Sequence, residues 1–248
     1  MNERRRKFLD DQRDYFTEPD ERKFHWMTSN PHFSKTERAL LPRIEALRPE
    51  RLLEVGSGEG GNLVNLQSLP PFTVGADLFP ERSRFAKKHC PSAHFVAADG
   101  LRLPFADEAF DLVFCRDLLH HVLDKAALVA EMRRVCRAGG HLVCIEACGK
   151  NPVIFCLAAA VRAERGLLRS TGRSVRRLLD EAGLENTQVE MHQPLPIYRI
   201  LLHPVYGRPK LGGREWYRRW NDRLDRLFAR LVPRRWWGYA VISGRKPA

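Results

Sequence analysis

From residue 54 to residue 61 the chain reads Glu-Val-Gly-Ser-Gly-Glu-Gly-Gly. A turn this rich in glycine lets the backbone fold back tightly and lets a ligand approach the chain with no side chain in the way. The spacing alone suits two kinds of ligand. Gly56, Gly58 and Gly61 satisfy the G-x-G-x-x-G pattern of a dinucleotide turn, whereas Gly56, Gly58 and Gly60 alternate as G-x-G-x-G. Glu54 separates the two readings. It stands two residues before the first glycine, and a carboxylate there would repel an anionic pyrophosphate while favouring an ammonium or a sulfonium. At an effective dielectric of ~20, unlike charges about 4 Å apart gain roughly 4 kcal/mol before desolvation is counted. The sign of that interaction decides more than its size, and it points to S-adenosylmethionine.

Further acids stand at strand ends downstream. Asp77 follows a second apolar run, where a carboxylate can accept hydrogen bonds from ribose hydroxyls. Asp99-Gly100 follows a third and could present a carboxylate to an adenine amino group. One such aspartate by itself is more often a turn former or helix cap. Three acids at three successive strand ends, beside a glycine turn, make that reading of all of them improbable. Asp117, His120 and His121 are spaced i, i+3, i+4, so a helix starting at Asp117 would carry them on one side. In that arrangement His121 is the candidate general base and Asp117 its orienting partner. The alternative has Asp117 capping the helix and both histidines packed against the sheet. Glu146, closing a fifth apolar run, faces either the pocket or solvent.

These residues need a scaffold, and the pattern around them supplies one. Leu52–Val55, Phe72–Ala76, His94–Ala98, Asp111–Cys115 and His141–Ile145 are short strand-like runs. Between them lie helical stretches at Asn62–Leu69, Pro80–His89, Asp117–Val122 and about Lys125–Arg137. Strands alternating with helices predict an α/β fold with a parallel sheet covered on both faces.

The segments Glu54–Gly61, Asp77, Ala98-Asp99-Gly100, Leu103-Pro104-Phe105, Phe110–Val113, Leu119-His120-His121-Val122 and Arg134–Gly140 resemble the successive motifs of class I S-adenosylmethionine-dependent methyltransferases. The resemblance is to the branch that holds ubiquinone and menaquinone biosynthesis enzymes and many small-molecule methyltransferases. It is strong over about residues 48–147, with Ala138 standing where that branch commonly has proline. It implies a Rossmann-like doubly wound sheet of seven strands, mostly parallel with an antiparallel last strand. It also implies cofactor contacts from Glu54, Gly56, Ser57, Gly58 and Gly60 to the methionine part, from Asp77 and Leu78 to the ribose, from Asp99 and Gly100 to the adenine, and from Cys115 beside them. Trp26 and Phe33 would close over the pocket. The expected activity is in-line methyl transfer to a small-molecule or lipid-like acceptor. Alignment can supply much of that catalysis, and a base is needed only where the acceptor loses a proton. No metal is expected.

The expected organisation is a helical N-terminal lobe over residues 1–46 with an arginine-rich start, followed by the catalytic domain over 47–248. Within that domain a helical insertion is placed at 194–235. The tail fits: Ser174–Ala182 has helical period, Gln188–His192 alternates, and Trp236–Ser243 makes a final strand.

Six scattered cysteines contain no C-x-x-C pair, which favours reduced thiols. No secretory signal opens the chain, and the apolar stretch Val153–Val161 is too short to span a bilayer needing ~20 residues. A cytoplasmic protein is expected. The formal net charge of +12 calls for an anionic partner. Part of it lies in Arg214–Arg235, where Trp216, Tyr217, Trp220, Leu224, Leu227, Phe228 and Leu231 share a face opposite a run of arginines. That helix either packs on the core with a solvated arginine face, lies peripherally on an anionic membrane, or lines an entrance for a lipid-like acceptor. An RNA methyltransferase is the alternative enzyme. It is disfavoured because Cys115-Arg116-Asp117-Leu118 lacks the Asn/Asp-Pro-Pro-aromatic signature of base-amine methylation, and no Pro-Cys nucleophile pair occurs. A non-catalytic S-adenosylmethionine-binding protein would be expected to have lost one of the acids or glycines, and none is missing.

Overall fold

The computed structural model describes Phe16 and residues 18–248. The arginine-rich start expected in residues 1–15 lies outside them. Seven strands form one sheet: β1 Arg51–Val55, β2 Phe72–Asp77, β3 His94–Ala97, β4 Phe110–Arg116, β5 Cys136–Ala147, β6 Glu185–His192 and β7 Tyr239–Arg245. Their order is β3-β2-β1-β4-β5-β7-β6. The strands from β3 to β5 pair in parallel, and β7 runs antiparallel to both its neighbours. This is the α/β sheet expected from the alternating pattern, in the seven-strand Rossmann-like form that the family resemblance implies.

Helices cover both faces. They are α1 Glu21–Ser29, α2 Pro31–Arg38, α3 Pro42–Ala46, α4 Gly61–Asn65, α5 Pro80–His89, α6 Lys125–Val135, α7 Pro152–Ala160, α8 Gly172–Glu181, α9 Tyr198–Leu201 and α10 Glu215–Leu231. The two-residue period of β1 sends Leu53 and Val55 to one side, where they meet Leu128, Val129 and Met132 of α6 and Val175 and Leu179 of α8. Leu52 turns to the other side, against Leu40, Leu41 and Ile44 of the N-terminal segment, Leu63 of α4 and Ile154 of α7. Strands buried on both faces explain the near-continuous apolar runs of the sequence. Sequence-readable caps fix several helix starts. The Asp124 side chain accepts from Ala127 N–H, Asn151 from Val153 N–H ahead of Pro152, and Thr171 with Ser174 forms a capping box.

Three boundaries differ from the sequence reading. The helix expected over Asn62–Leu69 ends at Asn65, and the chain bends toward Pro70-Pro71. The last strand begins at Tyr239, because Arg234–Trp236 forms a 3-10 turn. The helix expected from Asp117 shrinks to one 3-10 turn, Leu119–His121. There the Asp117 N–H goes to Ile145 O, and the Glu146 carboxylate takes the N–H groups of Leu118 and Leu119. Those bonds to β5 occupy donors and fix the chain in a tight turn.

Between β6 and β7 the chain runs through α9, a 3-10 turn at Pro209–Gly213, α10 and the turn at Arg234–Trp236. This segment packs onto the N-terminal helices. Phe33 of α2 is buried with Tyr198 and Leu202 near α9 and Tyr217 of α10, with Trp26 and Met27 at the edge. Asn30 Nδ2 donates to Pro209 O, and Lys35 pairs with Asp222. Two segments some 160 residues apart in sequence thus make one cap over the carboxyl ends of the strands.

Candidate functional site

The strand order reverses between β1 and β4, the place where an open α/β sheet leaves a crevice beyond its carboxyl ends. A cavity of about 620 Å³ lies there, within the ~300–1,000 Å³ usual for small-molecule sites.

The glycine turn forms one wall. Gly56, Gly58 and Gly60 have φ of +74°, +52° and +78°, which L side chains rarely adopt. Gly56 and Ser57 both donate their N–H to Ala76 O, tying the turn to β2. A Cβ at Gly58 would stand 2.9 Å from Nη2 of Arg82, the end of a side chain that can give way, so φ more than space reserves the position for glycine. Ser57 Oγ is buried at this wall without a hydrogen-bond partner.

Asp77 accepts the Gly58 N–H on Oδ2 at 2.8 Å and the Phe79 N–H on Oδ1 at 3.0 Å. It therefore braces the turn as well as facing the cavity. Leu78, Asp99 and Gly100 line the next stretch of wall.

Glu54, Gly60 and Cys115 stand apart from the expected set, since none of them lines the cavity. Glu54 is fully buried beneath the turn. Its Oε1 accepts from Asn62 Nδ2 at 2.6 Å, and its Oε2 has no partner. Burial pushes its pKa up to about 8. The residue expected to face a cationic ligand directly is thus one side chain removed, and Asn62 takes its place at the wall. Gly60 serves the turn through its left-handed φ. Cys115 points into the sheet beside Cys144, because the pleat sends Arg116, not Cys115, toward the cavity.

Arg116 is the centre of a network that the sequence reading missed. Nη1 donates to Asn62 Oδ1 at 2.9 Å and Nη2 donates to Glu37 of α2. The other Glu37 oxygen accepts from Arg199 Nη2 at 2.6 Å. Both guanidiniums stack on Tyr239, at 5.7 and 4.3 Å from the ring centroid. Tyr239 OH donates to Asp117 Oδ2 at 3.0 Å. Asp117, with φ +49°, is therefore committed to Tyr239 and Arg116, and the expected pairing with His121 is absent. The one local signal for this network is an arginine ending the apolar run Leu112–Cys115. Glu37, Arg199 and Tyr239 come from distant elements and carry none.

A second cluster holds the histidines. His120 is buried, with Nδ1 at 2.7 Å from Glu146 Oε2 and Nε2 at 3.2 Å from Glu164 Oε2. Burial opposes its charge, but the two carboxylates outweigh burial and push its pKa up to about 10. His121 has the reverse fate. Burial and the charged His120 beside it bring its pKa down to about 3. Its Nε2 lies 3.8 Å from Glu164, beyond a hydrogen bond, and its Nδ1 has no partner. Asp117, His120, His121 and Glu164 all line the cavity, while Glu146 lies behind them.

The remaining walls are largely apolar: Leu118, Val122, Leu123, Ile154, Leu157, Val161 and Leu167. The cap contributes Trp26 and Phe33, the two aromatics expected to close over the pocket, together with His203 and Tyr206.

Residues 53–144 match the family described as methyltransferase domain. This segment is a methyltransferase domain. Over 100 residues the chain is 41% identical to demethylmenaquinone methyltransferase of Roseiflexus sp. (strain RS-1), covering 39% of this chain and 42% of that protein. The chain thus spans less than half the length of that relative. Methyltransferase GfsG of Streptomyces halstedii is 26% identical over 230 residues, 84% of this chain and 78% of its own. Phosphoethanolamine N-methyltransferase 2 of Haemonchus contortus, solved with S-adenosyl-L-methionine, superposes with a TM-score of 0.63 at 18% identity, covering 91% of this chain and 56% of that one. The methyltransferase domain carries the whole glycine turn and the strand-end acids. Glu37, Glu164, Arg199 and Tyr239 all fall outside it.

Proposed function

We propose that the protein transfers a methyl group from S-adenosylmethionine to a small-molecule or lipid-like acceptor. The observation that carries this reading is the convergence in one cavity of the glycine turn, the orphaned Ser57 hydroxyl and the carboxylates of Asp77 and Asp99. These groups fit the donor. Gly56, Ser57 and Gly58 offer a wall clear of side chains to the methionine part, and Ser57 has a hydroxyl to give. Asp77 with Leu78 stands where ribose hydroxyls need acceptors, and Asp99 with Gly100 faces an adenine. Glu54 acts through Asn62, Gly60 through the shape of the turn, and Cys115 through packing behind it.

When bound, the donor supplies an electrophilic methyl on a positively charged sulfur. The protein's own task is alignment and exclusion of water. His121 Nδ1 and Asp117 Oδ1 are both unpartnered at this wall, and His121, whose ring is not tied to Tyr239 and Arg116 as Asp117 is, orients the acceptor. With a pKa brought to about 3, it is an acceptor of hydrogen bonds before it is a strong base. The expected role of Asp117 passes to the Tyr239 side of the site. The apolar walls, with Leu78, Leu123 and Tyr206 well exposed, suit an acceptor with hydrocarbon or ring bulk. The relative named as a demethylmenaquinone methyltransferase supports the same class.

In this proposal residues 1–46 and the insertion at 194–235 act together as an acceptor-binding cap on the domain at 47–248. No helix among the described residues is long and apolar enough to cross a membrane. A cytoplasmic enzyme in peripheral contact with an anionic membrane completes the proposal.

Calorimetric titration tests the donor assignment. S-adenosylmethionine and S-adenosylhomocysteine are expected to bind and NAD not to bind. Binding of NAD alone would overturn it. A transfer assay with labelled methyl donor against lipid, quinone and RNA fractions then identifies the acceptor, and label recovered only in RNA would overturn the acceptor class.

A further inference from the structure

The sequence marks one apolar face on α10, open to the core, a membrane or an entrance, and the structure divides that face in two. Tyr217 and Asn221 are buried, with Leu224 and Phe228 half-buried beside them, and this edge anchors the helix. Trp216, Trp220, Leu227 and Leu231 remain 62%, 44%, 48% and 68% exposed. At 100° per residue those four fall within an arc of about 60°. Along the far side of the arc, away from the anchored edge, stand Arg219, Arg223, Arg226 and Arg230, all exposed.

The acids of the helix are turned to other work. Asp222 pairs with Lys35, Asp225 accepts the Leu195 N–H, and Glu215 is held by Arg219. Arg234, Arg235 and an exposed Trp236 continue the surface past the helix end. An exposed apolar stripe flanked by a row of arginines is costly to leave in water and has a specific complement.

We infer that α10 lies in the plane of an anionic lipid bilayer, with Trp216, Trp220, Leu227 and Leu231 entering the interface and the arginine row meeting headgroup phosphates. A basic amphipathic helix with tryptophans at the boundary has the chemistry for this. Nucleic acid would use the arginines and could stack on tryptophan, but it leaves Leu227 and Leu231 without a counterpart. A second copy of the chain would bring one arginine row against another with little free acid to offset it. The inference deepens the membrane-contact part of the proposed function by naming the surface that makes it, and it does not depend on methyl transfer.

The test is flotation with phosphatidylcholine vesicles, with and without phosphatidylglycerol, together with tryptophan emission. Three of the five tryptophans lie on this surface, so insertion is visible as a blue shift. Binding and a blue shift are expected only when phosphatidylglycerol is present. The paired change Leu227→Ser and Leu231→Ser, and separately Arg223→Ser and Arg226→Ser, should each weaken binding at least about five-fold. Calorimetry with S-adenosylmethionine on the same variants should be unchanged, showing an intact fold. Failure of that ligand to bind the unaltered chain would sink the methyl-transfer reading and leave this one standing. The inference is overturned by no flotation, by flotation indifferent to the leucine pair, by tighter binding to RNA than to vesicles, or by a dimer that the leucine pair dissolves without any vesicle binding.

Discussion

The hydroxyl of Tyr239 reaches Oδ2 of Asp117 at 3.0 Å and so joins the first residue of β7 to the turn after β4. Asp117 holds a left-handed φ of +49°, and this bond together with the Asp117 N–H bond to Ile145 O keeps it there. Tyr239→Phe keeps the ring on which Arg116 and Arg199 stack and removes only the donor. Denaturant unfolding should show a loss of about 1 kcal/mol. In a methyl-transfer assay kcat should fall several-fold, with affinity for S-adenosylmethionine nearly unchanged. An unaltered kcat would show that the Asp117 turn does not position the reacting groups.

Gly58→Ala asks whether the turn is a ligand wall or only a bend. The new Cβ meets Arg82 at 2.9 Å in a backbone conformation that costs an L residue roughly 1–2 kcal/mol. Affinity for S-adenosylmethionine should drop more than ten-fold in calorimetry, well beyond any change in melting temperature. Parallel small losses in both would make the glycine purely structural.

Asp77 has two duties, and two substitutions part them. Asp77→Asn retains one oxygen acceptor for the backbone bonds of Gly58 and Phe79, while Asp77→Ala abolishes both. The asparagine variant keeps one of the two bonds and should lose about 1 kcal/mol of stability while binding S-adenosylmethionine several-fold more weakly, whereas the alanine variant, which loses both bonds, should lose about 1–3 kcal/mol. Equal affinity in the asparagine variant and the parent would remove Asp77 from the ribose site.

These positions also show how far a bare sequence reaches. The glycine spacing, Asp77 and Asp99 were readable because each lies at a strand end fixed by a local period. The five parallel strands were readable because apolar runs and helical stretches alternate, and the last two came from the family resemblance with the period of the tail. Glu54 was placed on the right strand, but pleat and depth put it under the turn, and neither is visible in a run of five residues. Arg116 becomes a cavity residue only because Cys115 faces inward. The partnership of Glu37 with Arg199 spans 162 residues, and no local pattern encodes it. The helix predicted at Asp117 failed because its donors found β5, a tertiary choice that overrides local spacing.

His121 should leave the pH–rate profile quiet where histidines usually speak. With its pKa near 3, kcat should show no histidine ionisation between about pH 5 and 7. His121→Asn should lower kcat while keeping that region flat. A limb near pH 6.5 in the parent, abolished in the variant, would restore His121 as a titrating base.

Stability should decline on the alkaline side for two reasons. His120 is raised from 6.5 to about 10 in the fold, so its contribution is complete below about pH 6.5 and is lost as pH rises through 10. Glu54 is raised from 4.5 to about 8, so its contribution is complete below about pH 4.5 and is lost as pH rises through 8. Melting temperature should therefore fall from pH 6.5 to 9, and Glu54→Gln should flatten the part below pH 8. An identical slope in the variant would show that Glu54 is already ionised in the folded chain.

The interlock of Phe33 with Tyr198, Leu202 and Tyr217 bears on how this protein can change its preferences. Neither stretch of the chain can be exchanged with a relative's without stranding the aromatic surface of the other. New acceptor selectivity must then arise by paired drift in both segments, or by point changes on the inward side of a roof that is inherited whole.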